Sequence, residues 1–337
     1  MTFNVSSFAK LLTATSDSEL NNLALKAKKL TQQHFGNTIQ LYIPLYLSNE
    51  CCNSCLYCGF NKNQKIKRQT LSLEEATSQL QIIKSKGFDN ILLLTGEHKA
   101  SVGVDYLEPI IQQAQKMFSY VALEVFPCTT AEYKKLVDAG TSGLTIYQET
   151  YNRKIYSNMH PAGPKRDFDF RFTAPERALT AGMRKMGLGF LLGLSDWQTE
   201  AINLAEHLDY LMKKYWKADF TVSFPRIHEA PNGLPIQAVS DRDFVQMILA
   251  FRIAFPKVGI LLSTRENAQL RDNLLGLGVT QISAESKTNP GGYSENSSDE
   301  QFKVSDNRSL EEIISTLEKK GFDPVIKDWS TILSKKQ

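Results

Sequence analysis

Eight short apolar runs recur along the chain at an even spacing, and a longer helix-like run follows most of them. The apolar runs are LYIPLYL (41–47), NILLLTGE (90–97), YVALEVF (120–126), GLTIYQE (143–149), LGFLLGL (188–194), FTVSFPR (220–226), GILLSTR (259–265) and VTQISAE (279–285). Stretches such as LEEATSQLQIIKSKG and QTEAINLAEHLDYLMKKYW lie between them. Near-continuous apolar strands alternating with helices specify a parallel sheet covered by helices. Eight such units in roughly 250 residues are what a (β/α)8 barrel needs. A doubly wound open sheet is the alternative, and the even spacing fits closure better. The expected fold is therefore α/β: a (β/α)8 TIM-type barrel with an N-terminal helical extension and a C-terminal helical and loop tail. No linker-like break divides the chain, so residues 1–337 are expected to form one domain. Its parts are the extension 1–36, the barrel 37–285, and the tail 286–337. In the tail, polar 286–307 reads as a long loop and SLEEIISTLEKKG (309–321) as the last helix.

Polar residues gather where the strands end: Ser48 and Asn49, Thr95 to His98, Gln148 and Glu149, Pro225 and Arg226, Ser263 to Glu266, and Ser283 to Lys287. In such a barrel the C-terminal strand ends surround the active site. The fold thus brings distant positions to one mouth.

The formal net charge of +3 and the lack of a dense Lys/Arg stripe argue against a nucleic-acid partner. No apolar run is long enough to span a membrane. The N-terminus lacks the layout of a secretory signal, so a cytoplasmic location is expected. There disulfides are rare, and clustered cysteines more often bind metal or do redox chemistry.

Four of the five cysteines lie in CCNSCLYCGF (51–60). Cys51, Cys55 and Cys58 have the spacing C-x3-C-x2-C, in the loop after the first strand. Three thiolates on one loop can bind three irons of an iron–sulfur cube and leave the fourth open to a small molecule. Cys52, beside Cys51, is expected to point elsewhere. A structural zinc is the competing reading, but it usually wants four closed ligands, and no second C-x2-C pair is present. A thioredoxin-like pair fits less well, because a third spaced thiol stands beside the C-x2-C. The strand-seven end LLSTRE supplies Ser263 and Arg265, which period-two alternation places on one side. A hydroxyl and an arginine there could clamp the carboxylate of an amino acid. Arg226, after strand six, is a second candidate, and His98 and His160 are left without a role.

The cysteine spacing followed by glycine resembles the signature of the radical S-adenosylmethionine enzymes. That resemblance implies a [4Fe-4S] cluster on Cys51, Cys55 and Cys58 whose open iron chelates S-adenosylmethionine. Reductive cleavage of this cofactor then makes a 5′-deoxyadenosyl radical. Tyr57 matches the aromatic near adenine in that family, and Thr95-Gly96-Glu97 resembles the element that receives the cofactor's amino group. Glu149 and Arg171 are further candidates to hold the methionine part or ribose, Arg171 through the carboxylate.

Longer strings narrow the resemblance. LYIPLYLSNECCNSCLYCGF, LLLTGEH, IYQETYN, HPAGPKRDFDFR, TAPERALTAGMRKMGLGFLLGLSDWQTEA, SFPRIHEA, LSTRENAQLRDN and SAESKTNPGGY, with KDW at 327–329, are similar to the 2-iminoacetate synthase family. These are the tyrosine lyases of thiamine thiazole biosynthesis. The resemblance implies hydrogen abstraction from the amino group of L-tyrosine, then Cα–Cβ cleavage to 2-iminoacetate (dehydroglycine) and 4-cresol. It also implies a low-potential donor, flavodoxin or ferredoxin, and thiazole synthase as consumer of the product and possible protein partner. The sequence departs from expectation at Cys52, which doubles the first ligand position, and at Glu285, where a small residue is expected. Three rivals stand beside this reading. The tyrosine-cleaving hydrogenase maturase carries a second cluster on later cysteines, and here no cysteine follows Cys128. A tryptophan lyase shares the scaffold. A zinc-stabilised barrel would bind a ligand without catalysis.

Overall fold

The computed structural model describes residues 3–14, 16–229, 231–294 and 299–327. Eight parallel strands follow one another around a closed sheet: β1 (Thr38–Ser48), β2 (Asn90–Thr95), β3 (Tyr120–Glu124), β4 (Gly143–Glu149), β5 (Lys185–Phe190), β6 (Asp219–Ser223), β7 (Gly259–Leu262) and β8 (Gln281–Ser283). Closure comes from β1, which pairs with β8 through Gln40–Tyr42 and with β2 from Ile43 onward. The (β/α)8 expectation holds, and each expected strand is present. Several are shorter at their C-terminal ends than their apolar runs. β5 stops at Phe190, β6 at Ser223 and β7 at Leu262. Beyond those points the apolar residues pack under the loops that form the mouth.

The helices begin where their sequences provide caps. Ser72, Thr129 and Ser309 accept a backbone N–H from the third residue of the helices Leu73–Ser85, Thr130–Ala139 and Leu310–Lys319, and a glutamate returns the bond each time. The N-terminal extension forms the helices Val5–Leu11 and Asp17–Phe35. It is docked on the barrel: buried Phe8 meets Phe251 edge-on with ring centroids 5.1 Å apart. Gln246 and Gln198 donate to the end of the first helix, at Leu11 O and Leu12 O.

A ninth strand, β9 (Asp323–Val325), pairs in parallel with Thr38–Gln40 of β1. Three residues with proline at their centre give no readable strand signal; proline is tolerated at such a sheet edge because one face needs no N–H. Asp328 and Trp329 of the KDW string lie outside the described residues. Among the described residues no helix is long and apolar enough to cross a membrane.

The long loop after β8 is fastened by charge. Arg271 is buried, pairs with buried Asp306 and donates to Ser283 O; Arg308 bridges Asp306 and Asp272. Removing one member leaves a buried charge without its partner. Asp306→Ala is expected to destabilise the protein by about 3–5 kcal/mol, read as a lower urea midpoint, and joint apolar replacement of Arg271 and Asp306 should recover much of it.

Candidate active site

Along the upper strands, lumen-facing positions recur every second residue: Tyr42, Pro44 and Tyr46 on β1, Leu92 and Leu94 on β2, Thr145 and Tyr147 on β4. The matching position on β5 is Gly189, where a Cβ would stand 2.6 Å from the Tyr147 ring and 2.2 Å from Ser223 O. With no side chain from β5 there, the upper lumen stays open. The result is a cavity of about 680 Å³ at the C-terminal ends of the strands.

The cysteine loop forms one wall. Arg68 straps its two ends, donating to Asn49 O at 2.6 Å, Phe60 O at 2.8 Å and Asn61 O at 2.7 Å. Backbone bonds fasten the middle: Cys52 N to Glu97 O, Ser54 N to Ala162 O and Leu56 N to Met159 O. Cys51, Cys55 and Cys58 line the cavity. Cys52 does not: its thiol donates to Glu97 O at 3.0 Å. Asn53 Nδ2 donates to the Cys51 sulfur, while Phe60 N and Gln301 Nε2 donate to that of Cys58. Burial pushes the Cys55 thiol up to about 12 and raises Cys58 as well. A coordinating cation reverses that preference by taking the thiolate. Among the described residues no three His, Cys, Asp or Glu side chains are placed to share one metal ion. Three thiols on one cavity wall, with N–H donors to the sulfurs of Cys51 and Cys58, fit an iron–sulfur cluster in their donor chemistry.

Next to the thiols lies Gly96-Glu97. A Cβ on Gly96 would meet Glu50 O at 2.2 Å, so only glycine lets the two loops touch. Asn53 is the hub: its Nδ2 donates to Glu97 Oε2 at 2.8 Å, and its Oδ1 accepts Lys165 N at 2.8 Å. The Lys165 ammonium reaches Glu149 Oε1 at 2.6 Å, and Arg171 reaches the same oxygen at 3.3 Å. Burial alone would raise the Glu149 carboxyl, but the two cations outweigh it and hold it below the usual range. Glu149 adopts a left-handed backbone, φ 70°, where β4 breaks register with β5. The strand thus leaves the sheet with its carboxylate turned to the mouth. Two cations share one carboxylate, so this corner carries a surplus positive charge.

Tyr57 lines the cavity and its hydroxyl lies 2.8 Å from His160 Nε2. His160 Nδ1 is 2.7 Å from Tyr156 O, which can only accept. Burial, helped by Lys165, drops the imidazole to about 3. The ring is therefore neutral, with its proton on Nδ1, and Tyr57 donates to Nε2. His160 holds Tyr57 in place from behind the wall rather than facing the mouth.

Across the mouth, Ser263 and Arg265 both line the cavity. The reason differs from the alternation expected, because β7 has ended and a turn presents them; Arg265 N donates to Ser263 Oγ at 3.4 Å. The Arg265 guanidinium lies 3.4 Å from the Phe302 ring centroid, and no carboxylate of the described residues pairs with it. Arg226, the other clamp candidate, is already saturated. It binds Glu266 through Nε at 2.9 Å and through a second bond, and Asp241 at 2.7 Å. Glu285 serves structure: it accepts Leu310 N and pairs with Lys86, tying the end of β8 to the last helix.

The chain is 42% identical to 2-iminoacetate synthase of Escherichia coli (strain K12), over 96% of this chain and 87% of that one. It belongs to the 2-iminoacetate synthase family. Residues 45–205 match the Radical SAM superfamily, and residues 223–323 match the Biotin and Thiamin Synthesis associated domain. Among solved structures, the FeFe-hydrogenase maturase HydG from Carboxydothermus hydrogenoformans superposes with a TM-score of 0.90 at 36% identity, covering 96% of this chain and 76% of that one. Methylornithine synthase (PylB) shares the fold, with a TM-score of 0.79 at 21% identity. The family membership agrees with the resemblance read from the sequence strings.

The cavity gathers nine residues singled out from the sequence: Cys51, Cys55, Cys58, Tyr57, Glu97, Glu149, Arg171, Ser263 and Arg265; Arg226, the second clamp candidate, does not line it. Sequence reasoning missed Asn53 and Lys165, and also Glu124, the last residue of β3, which lines the same cavity. Asn53 and Lys165 carry no motif of their own, although both lie inside matched strings. Glu124 offered one signal: a lone carboxylate inside the apolar run YVALEVF.

Proposed function

We propose that this chain is a radical lyase that cleaves the Cα–Cβ bond of L-tyrosine to 2-iminoacetate and 4-cresol, for the thiazole moiety of thiamine. Its cofactors are those of the superfamily it belongs to, a [4Fe-4S] cluster and S-adenosylmethionine. When bound, they supply a carbon-centred radical that takes a hydrogen atom from the substrate amino group. Cys51, Cys55 and Cys58 hold the cluster, and Cys52 has no part in it. Glu97, oriented by Asn53, receives the cofactor's amino group, and the surplus charge of Lys165 and Arg171 around Glu149 receives its carboxylate. Tyr57 lies against the adenine. Arg265 and Ser263 clamp the tyrosine carboxylate and so hold the amino group where abstraction occurs.

One observation carries the reading: in a chain of this family, an arginine with no carboxylate partner among the described residues shares one cavity with three spaced thiols. The barrel walls exclude water from a radical that would otherwise be quenched. We read residues 1–337 as one domain, since the closed sheet runs through both matched segments. A cytoplasmic setting, a flavodoxin or ferredoxin as electron donor, and transfer of 2-iminoacetate to thiazole synthase complete the proposal.

The test is anaerobic reconstitution with iron and sulfide, followed by reductant, S-adenosylmethionine and L-tyrosine. 5′-Deoxyadenosine and 4-cresol should appear together. Deoxyadenosine without cresol rejects tyrosine as the cleaved substrate, and tryptophan run in parallel identifies the relative that cleaves it. A preparation that binds zinc and forms neither product rejects the radical chemistry.

A further inference from the structure

The Arg265 clamp fixes one end of the substrate; the opposite wall of the cavity indicates what meets the other. In an eight-stranded closed sheet, β3 and β7 lie four strands apart in either direction, so they face each other across the lumen. Arg265 follows β7. Glu124 is the last residue of β3 and lines the same cavity. The space beside it is apolar, with Leu92 and Leu94 on β2 and Phe126 just beyond β3.

Among the other polar groups of this part of the lumen, the hydroxyls of Thr95, Ser283 and Ser286 also lack a hydrogen-bond partner among the described residues, and Glu124 adds a carboxyl to them. Tyr46 donates to Gln301 Oε1 at 2.8 Å. No hydrogen bond or ion pair joins the Glu124 carboxyl to any described residue. The carboxyl is part-buried on the cavity wall and has no such partner there, so it is available to bond a ligand that fills the cavity. Burial, and then the charge of Glu149, pushes this carboxyl up to about 7, so near neutrality both its ionised and its protonated form are populated. Either form can bond a hydroxyl, one as acceptor and the other as donor.

We propose that the Glu124 carboxyl receives the phenol hydroxyl of the substrate and thereby makes the site selective for tyrosine over phenylalanine and tryptophan. The proposal rests on the tyrosine-lyase reading above. The amino acid spans the lumen from Arg265 to Glu124, its ring lying along the Leu92 and Leu94 side. A site built to bond a substrate hydroxyl discriminates strongly against the analogue that lacks it, because its own polar group is then left unpaired.

The experiment measures equilibrium binding of L-tyrosine and L-phenylalanine to the unreduced, cluster-loaded protein with S-adenosylmethionine present. Wild type, Glu124→Leu and Glu124→Gln are compared at matched iron content. Wild type should prefer tyrosine. Glu124→Leu should lose about 100-fold or more of that preference, with phenylalanine binding as well as before or better. Glu124→Gln, nearly isosteric, replaces a charge-assisted bond with a neutral one and should lose about 10-fold; it carries the test alone if the leucine variant fails to fold. An unchanged tyrosine-to-phenylalanine ratio in a folded variant overturns the proposal. If wild type makes cresol while that ratio is unchanged, only the role of Glu124 falls. If wild type neither binds nor cleaves tyrosine, the lyase reading falls and this proposal with it.

Discussion

Cys55→Ala protein is expected to emerge from reconstitution colourless and to form neither deoxyadenosine nor cresol, while Cys52→Ala protein stays brown and active. The two substitutions remove the same atom three residues apart. Cys55 lines the cavity with Cys51 and Cys58, whereas the Cys52 thiol is turned away and spends its hydrogen on Glu97 O. Losing one of three cluster ligands removes the radical source, and with it a rate enhancement that for enzymes is at least about 10⁶-fold. Iron and sulfide content, the visible absorption of the cluster and product chromatography read the outcome. A brown, active Cys55→Ala protein would reject the ligand assignment; a colourless Cys52→Ala protein would show that the doubled position had been assigned to the wrong residue.

The contrast between these two cysteines of one loop also marks what a sequence can carry. C-x3-C-x2-C is a local constraint, so its spacing alone marked a loop whose three thiols line the cavity. The barrel was legible for a related reason: parallel strands buried on both faces are written as apolar runs, and eight of them leave little freedom. Arg226 and Arg265 were not separable in the same way. Both follow a strand, but the acids that neutralise Arg226 are Asp241 and Glu266, which reach it from separate segments of the chain. Lys165 and Asn53 gain their importance from a three-way meeting of loops that no periodicity encodes. Ser263 and Arg265 were placed correctly by an argument about strand alternation that does not apply beyond Leu262. Their position depends on the turn that follows.

Arg265→Leu is the second large effect. It should leave cluster assembly and the binding of S-adenosylmethionine intact and weaken L-tyrosine binding. Removing the buried partner of a charged group costs about 2–4 kcal/mol, which is roughly 30- to 1,000-fold in affinity. Any cofactor that is cleaved should then give deoxyadenosine with little cresol, because the amino group is no longer held near the radical. Arg265→Lys keeps the charge but loses the planar fork and the stack on Phe302, so an intermediate loss is expected. Arg226→Leu serves as the control. It strands buried Glu266 and should lower stability, while the ratio of cresol to deoxyadenosine in the folded fraction stays at the wild-type value. Equal loss of coupling in the Arg226 and Arg265 variants would argue that neither guanidinium is the specific clamp.

The pairing of β1 with β8 has a consequence in time. A ribosome makes the cysteine loop early, directly after β1, but the wall that closes the barrel is Gln281–Ser283, and Gln301 reaches the Cys58 sulfur only after that. Until some 220 residues beyond Cys58 have been translated, the thiols sit on an open sheet edge, exposed to oxygen and to stray metals. On the proposed ligand assignment, the site that would take iron is complete only once β8 has joined β1, and the three thiols must stay reduced for the interval between their synthesis and the closing of the barrel.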